Sequence, residues 1–180
     1  RPEKNVYMHV NGGNWGLASN SIHMLDLFAF LTGKNEIILD GSDLDRDIQE
    51  SNRSGFVELS GNLRGQANSD NKISLLDCKE SKIPSVIMIT NANSNIIILE
   101  GSNKSLQSKE GSSCEWEEVA FHAPLQSQLT SSAVQQILDT GESDLTTLEE
   151  SFALHKPMLE CYNQHLASIT GTEYDKCPVT

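Results

Sequence analysis

With 180 residues, the chain is long enough for one compact domain with a real core and short for several. Its 25 acidic against 13 basic side chains give a formal net charge of -12, a field that repels nucleic-acid backbones and anionic membrane surfaces. No apolar run is long enough to cross a bilayer and no secretory pattern opens the chain, so a soluble, cytoplasmic protein is expected, with no nucleic-acid or membrane partner.

Val6, Met8 and Val10 alternate with Tyr7 and His9, which predicts a half-buried strand over about residues 5–10. Gly12-Gly13-Asn14-Trp15-Gly16 then breaks regularity. From Ser21 to Leu31 apolar residues cover nearly the whole of a helix surface, which predicts a buried helix with Ser19 or Asn20 as N-cap and Gly33 as its stop. Only His23 and Asp26 interrupt that surface, with Ser19 one turn before His23.

A strand over residues 36–39 should lead into an acidic surface connection, residues 41–54. Further strands are expected over 56–64, 72–77, 86–90, 95–100, 105–109 and 116–121, and Asn91-Ala-Asn-Ser94 joins two of them as a hairpin. Pro124 suits the first turn of a helix whose apolar side is Leu125, Leu129, Ala133 and Ile137, ended by Gly141. The last helix should open with a capping box at Thr146-Thr-Leu-Glu149, bury Leu148, Phe152, His155, Leu159, Tyr162 and Leu166, and be kinked or divided at Pro157. The order of elements reads as α+β, a mainly antiparallel open sheet with helices on one face.

Cys78, Cys114, Cys161 and Cys177 contain no C-x-x-C pair, so reduced thiols are expected and no zinc or redox dithiol. The histidines His9, His122, His155 and His165 lack compact metal-ligand spacing, so no metal is expected; His155 reads as a core histidine and His122 as part of a solvated strand end. No G-x-S-x-G elbow or P-loop is present, and Gly12-Gly-x-x-Gly16 lacks the full dinucleotide pattern G-x-G-x-x-G. What stands out is the glycine-rich loop feeding a helix that carries an imidazole and a carboxylate. A histidine there can take a proton from an alcohol as hydride leaves the same carbon, or it and Asp26 can make a local structural pair.

The run from Gly12 to Asp26, with its Ser-Ile-His-Met-Leu-Asp core, resembles the segment that opens the C-terminal domain in the glucose-fructose oxidoreductase, inositol dehydrogenase and MocA (Gfo/Idh/MocA) family. The later strand order, the hairpin region containing Gly101 and the closing helix before Cys177-Pro-Val-Thr180 are similar too. The resemblance implies the substrate-side half of a two-domain dehydrogenase acting on a sugar or polyol, with NAD or NADP held mainly by an absent Rossmann domain. It gives His23 the acid/base role and Asp26 the family's position three residues further on; with Asp26, the residues Asn14, Trp15, Ser19 and Asn20 can line a polyhydroxylated substrate by hydrogen bonds and stacking, or those four only shape the loop and cap the helix. The family's Asp four residues before that histidine falls on Ser19, a departure that keeps a second reading open, a non-catalytic carbohydrate-binding or assembly domain, oligomeric through the uncovered sheet. The family's Glu-Lys-Pro segment has no counterpart in Glu3-Lys4-Asn5.

Overall fold

The computed structural model describes residues 5–109, 115–120 and 124–179. Among them, β1 (Tyr7–Gly12) is followed by α1 (Leu17–Thr32), then β2 (Ile38–Leu44), β3 (Gln49–Glu50), β4 (Val57–Glu58), β5 (Gly61–Gln66), β6 (Lys72–Asp77), β7 (Val86–Thr90) and β8 (Ser94–Leu99). A short 3-10 turn (Glu100–Ser102), β9 (Lys104–Lys109), β10 (Glu117–Ala120), α2 (Gln126–Thr140) and α3 (Leu148–Thr170) complete the order. The expectations for His122 and Cys114 lie outside the described residues.

Among the described residues, eight strands form one open sheet in the order β10-β9-β8-β7-β1-β6-β5-β2, and β3 and β4 form a separate two-stranded ladder. Every ladder of the large sheet is antiparallel except β1 with β6, so the chain is the expected α+β fold with a predominantly antiparallel sheet. The β1–β6 pair, with Gly12 opposite Asp77, sets a buried carboxylate beside the glycine loop.

Strand alternation sorts the two faces. Met8, Val10, Leu63, Ile73, Leu75, Ile87 and Ile89 point into the core, where they meet Leu17, Leu25 and Phe28 of α1 and Leu154, Met158, Tyr162 and Leu166 of α3. At about 2 kcal/mol for each large side chain removed from water, this one layer dominates the fold's apolar stabilisation. The opposite face stays open, exposing Tyr7 and Met88.

The helices differ from expectation in four ways. Helix α1 begins four residues before Ser21 and buries a stripe, Leu17, Ser21, Leu25, Phe28 and Thr32, rather than its whole circumference; Phe30 points to solvent because the sheet and α3 cover only the inner side. Helix α2 ends at a left-handed Gly141 as expected, but Pro124 precedes its cap, Leu125, and the helix buries no residue, leaving Leu129, Val134, Ile137 and Leu138 exposed. The box that opens α3 is formed by Thr147 and Glu150, one residue later than expected, because the Thr146 hydroxyl donates instead to Asp26 Oδ1 at 2.8 Å. Pro157 does not divide α3, and its buried stripe runs Leu154, Met158, Tyr162, Leu166, leaving Leu148 and Phe152 exposed.

The expected surface connection 41–54 is shorter than predicted, since β2 continues to Leu44 through an irregularity between Asp40 and Asp43. Cys78, Cys161 and Cys177 are free thiols. No helix among the described residues is long and apolar enough to cross a membrane.

Candidate active site

The site is built where β1 hands over to α1. A Cβ on Gly13 would stand 2.3 Å from Ser81 Cβ and 2.6 Å from the Ser81 carbonyl carbon, so only glycine lets the loop pass this close. Asn14 (φ 55°) and Gly16 (φ 78°) both adopt left-handed backbone, turning the chain from the strand end into the helix.

The first amides of a helix have no intrahelical partner, and here two distant carboxylates accept them. Asp77, at the end of β6 and almost fully buried, accepts from the amides of Asn14 at 2.6 Å, Gly16 at 3.0 Å and Leu17 at 3.2 Å. Glu58 of β4 accepts from the Ala18 amide and, at 2.8 Å, from the Ser19 hydroxyl, while its other contacts are the Ser19 and Leu59 amides. The expected N-cap, Ser19 or Asn20, is therefore replaced by Gly16 backbone and carboxylates from two strands. Their negative charge also complements the positive end of the helix dipole.

Beside this helix start lies a pocket of about 640 Å³, within the range of small-molecule sites. Asn14, Trp15, Ser19, Asn20 and His23 all line it. Asp26 does not; one turn further along, it faces Thr146 on the approach to α3. His23 is exposed rather than buried, since it lies on the outer side of α1, and no hydrogen bond joins it to Asp26 among the described residues. Trp15 is held by its indole N–H, which donates to the Leu76 carbonyl at 3.0 Å, and Asn20 donates its amide to the carbonyls of Trp15 at 2.7 Å and Gly16 at 3.1 Å. Their orientation is thus fixed by the loop they help to shape.

Among the residues on the pocket wall that were not expected there are Glu58, Arg53 on the β3–β4 turn, and His155 of α3. Glu58 bears on the missing aspartate at position 19, because the hydroxyl that stands in its place is itself bonded to a carboxylate. An acid inside the otherwise apolar start of the predicted 56–64 strand was the available signal. His155 is half-buried, its Nδ1 2.9 Å from the Ser151 carbonyl oxygen, and borders both the pocket and a neighbouring hollow that contains Asp26. No cluster of three metal-ligating side chains occurs among the described residues.

A second concavity, about 450 Å³, lies on the open sheet face between Tyr7, His9, Arg64 and Lys72. There Arg64 pairs with Asp40 at 2.8 Å and Asp43 at 3.2 Å, and the Asp40 carboxyl is held below its ordinary range chiefly by the Ser42 amide and hydroxyl, with Arg64 contributing.

No family profile and no curated protein sequence matches the chain. Solved structures do match in fold. A UDP-N-acetylglucosamine 3-dehydrogenase from Acidithiobacillus ferrooxidans superposes with a TM-score of 0.65 at 9% identity, over 93% of this chain and 55% of that one. A Gfo/Idh/MocA family oxidoreductase from Vibrio cholerae gives 0.55 at 13% identity, over 93% and 53%. A 3-ketoreductase from Actinomadura kijaniata, solved with NADP, gives 0.57 at 12% identity, over 87% and 50%. The chain therefore has the fold of a domain of Gfo/Idh/MocA oxidoreductases and spans about half the length of the structures it matches.

Proposed function

We propose that residues 1–180 form the C-terminal, substrate-side domain of a nicotinamide-dependent oxidoreductase acting on a sugar, sugar nucleotide or polyol, with His23 as its acid/base. The observation that carries this reading is the convergence of Asn14, Trp15, Ser19, Asn20 and His23 on one pocket at the start of α1. Amide, hydroxyl and indole groups around an imidazole are the donors, acceptors and stacking surface a polyhydroxylated ligand requires. The fold shared with a sugar-nucleotide dehydrogenase and a ketoreductase supports it.

The glycine loop itself does not fit a dinucleotide. Its helix-start amides, which would otherwise face a pyrophosphate, are already bonded to Asp77 and Glu58, and two carboxylates there repel phosphate. NAD or NADP would thus be held by a partner Rossmann domain; when bound, it accepts or returns hydride. On this side, His23 takes the proton of the reacting hydroxyl in oxidation and returns it in reduction. Exposure on the pocket wall leaves its ring free to meet that hydroxyl.

The test is turnover of the full-length protein with NAD or NADP. His23→Ala should lower kcat by about a hundredfold or more, the usual weight of a positioned acid/base group. Unchanged turnover would remove His23 from the reaction.

A second reading, assembly through the sheet, is favoured by the open face, where Tyr7, Ile38 and Met88 are exposed together. Light scattering at high concentration decides it, a strict monomer counting against association.

A further inference from the structure

Two imidazoles border the same pocket, and they are held differently. His23 makes no hydrogen bond to the described residues, so its ring is free to change tautomer and rotamer. His155, on α3, lines both this pocket and the neighbouring hollow, with Nδ1 2.9 Å from the Ser151 carbonyl and 3.2 Å from the Ser151 hydroxyl. A carbonyl oxygen only accepts, so an unprotonated Nδ1 at that distance would set two lone pairs against each other. The neutral ring therefore carries its proton on Nδ1, with the hydroxyl as a second acceptor. Nε2 is left as a bare acceptor with no protein partner among the described residues.

The geometry points to His155 as a ligand-binding residue that takes, through Nε2, a hydrogen bond from a hydroxyl of a sugar or sugar nucleotide held in the α1 pocket. This rests on the reading of that pocket as the substrate site. The two histidines divide the work, His23 meeting the reacting hydroxyl and His155 a second, non-reacting one. The charged side chains on the pocket walls, Glu50, Arg53 and Glu58 from the β3–β4 hairpin, offer no neutral acceptor of fixed direction, and neither does Asp26 in the adjoining hollow. A site that holds out a bare acceptor also discriminates, because a ligand lacking the matching hydroxyl leaves Nε2 desolvated and unpaired. Selectivity for a hydroxylated over a deoxy sugar at that carbon is the consequence.

The experiment is a long-range proton–nitrogen spectrum of the nitrogen-labelled chain at about pH 8, where unperturbed imidazoles are neutral, with and without UDP-N-acetylglucosamine. His155 is expected as the Nδ1–H tautomer, with its Nε2 resonance moving as the sugar nucleotide is added, and His155→Phe should weaken binding about tenfold. A His155 ring protonated on Nε2 overturns the proposal, since no acceptor is then offered. A shift at His23 with none at His155 overturns it while leaving the substrate pocket standing; shifts at neither overturn both.

Discussion

Helices α1 and α2 are nearly equal in length, 16 and 15 residues, and each ends at a left-handed glycine, yet one is built into the protein and the other is not. Seven residues of α1 are buried and its start is tied to two strands through Asp77 and Glu58. No residue of α2 is buried, and its opening bonds are local, between Leu125 and Gln128. Local signals are thus enough to make a helix; what fixes its place, and with it a functional pocket, is tertiary burial and long-range polar contact.

Asp77→Ala strikes that difference hardest. It strips three amides of a charged acceptor in a buried site, for an expected loss of about 4 kcal/mol in urea unfolding. A loss below about 1 kcal/mol would mean that the helix start does not depend on this tie. A matched pair of truncations comes next. Leu25→Ala, in the buried stripe of α1, should cost about 3 kcal/mol, whereas Leu129→Ala on α2 should stay within about 0.5 kcal/mol. Equal costs would show α2 to be packed in solution.

Thiol reactivity sharpens the contrast between interior and surface. Burial pushes the Cys161 thiol up to about 11 and raises Cys177 as well, while Cys78 is exposed. Iodoacetamide at neutral pH should therefore alkylate Cys78 before Cys161 and Cys177, by mass spectrometry of timed samples, and labelling of Cys161 ahead of Cys78 would contradict its burial.

The smallest effect is at the surface cap of α3. The Thr147 amide and hydroxyl hold the Glu150 carboxyl below its ordinary value of 4.5. A lowered folded-state value means that the cap's contribution is present above 4.5 and is lost as pH falls through the folded value. Protection of the amides in the first turn of α3, taken relative to the intrinsic exchange rate at each pH, should fall on acidification, and a Thr147→Ala variant should lose that pH dependence.

Where strand alternation and turn residues are both local, the sequence was enough. Strands β6 and β7 occupy the expected 72–77 and 86–90, and the Asn91–Ser94 turn joins an antiparallel pair. The start of α1 was not legible, because its caps come from residues about 40 and 60 positions away, and no periodicity reports such partners. Five of the six expected ligand-lining or acid/base residues reach one pocket because they share a single loop and helix turn, a spacing the sequence does contain. Asp26, one turn further on, is drawn off to Thr146, a partner 120 residues away. His155 looked like a core histidine from its place among apolar residues, but the buried stripe of α3 is rotated from the expected one and leaves it on the pocket wall.

Backbone amide shift mapping with UDP-N-acetylglucosamine separates ligand entry at the start of α1 from binding on the open sheet face. Shifts should cluster over residues 14–23 and 49–58; shifts confined to Tyr7, His9, Arg64 and Lys72 would overturn the assignment and move the binding site to the other side of the sheet.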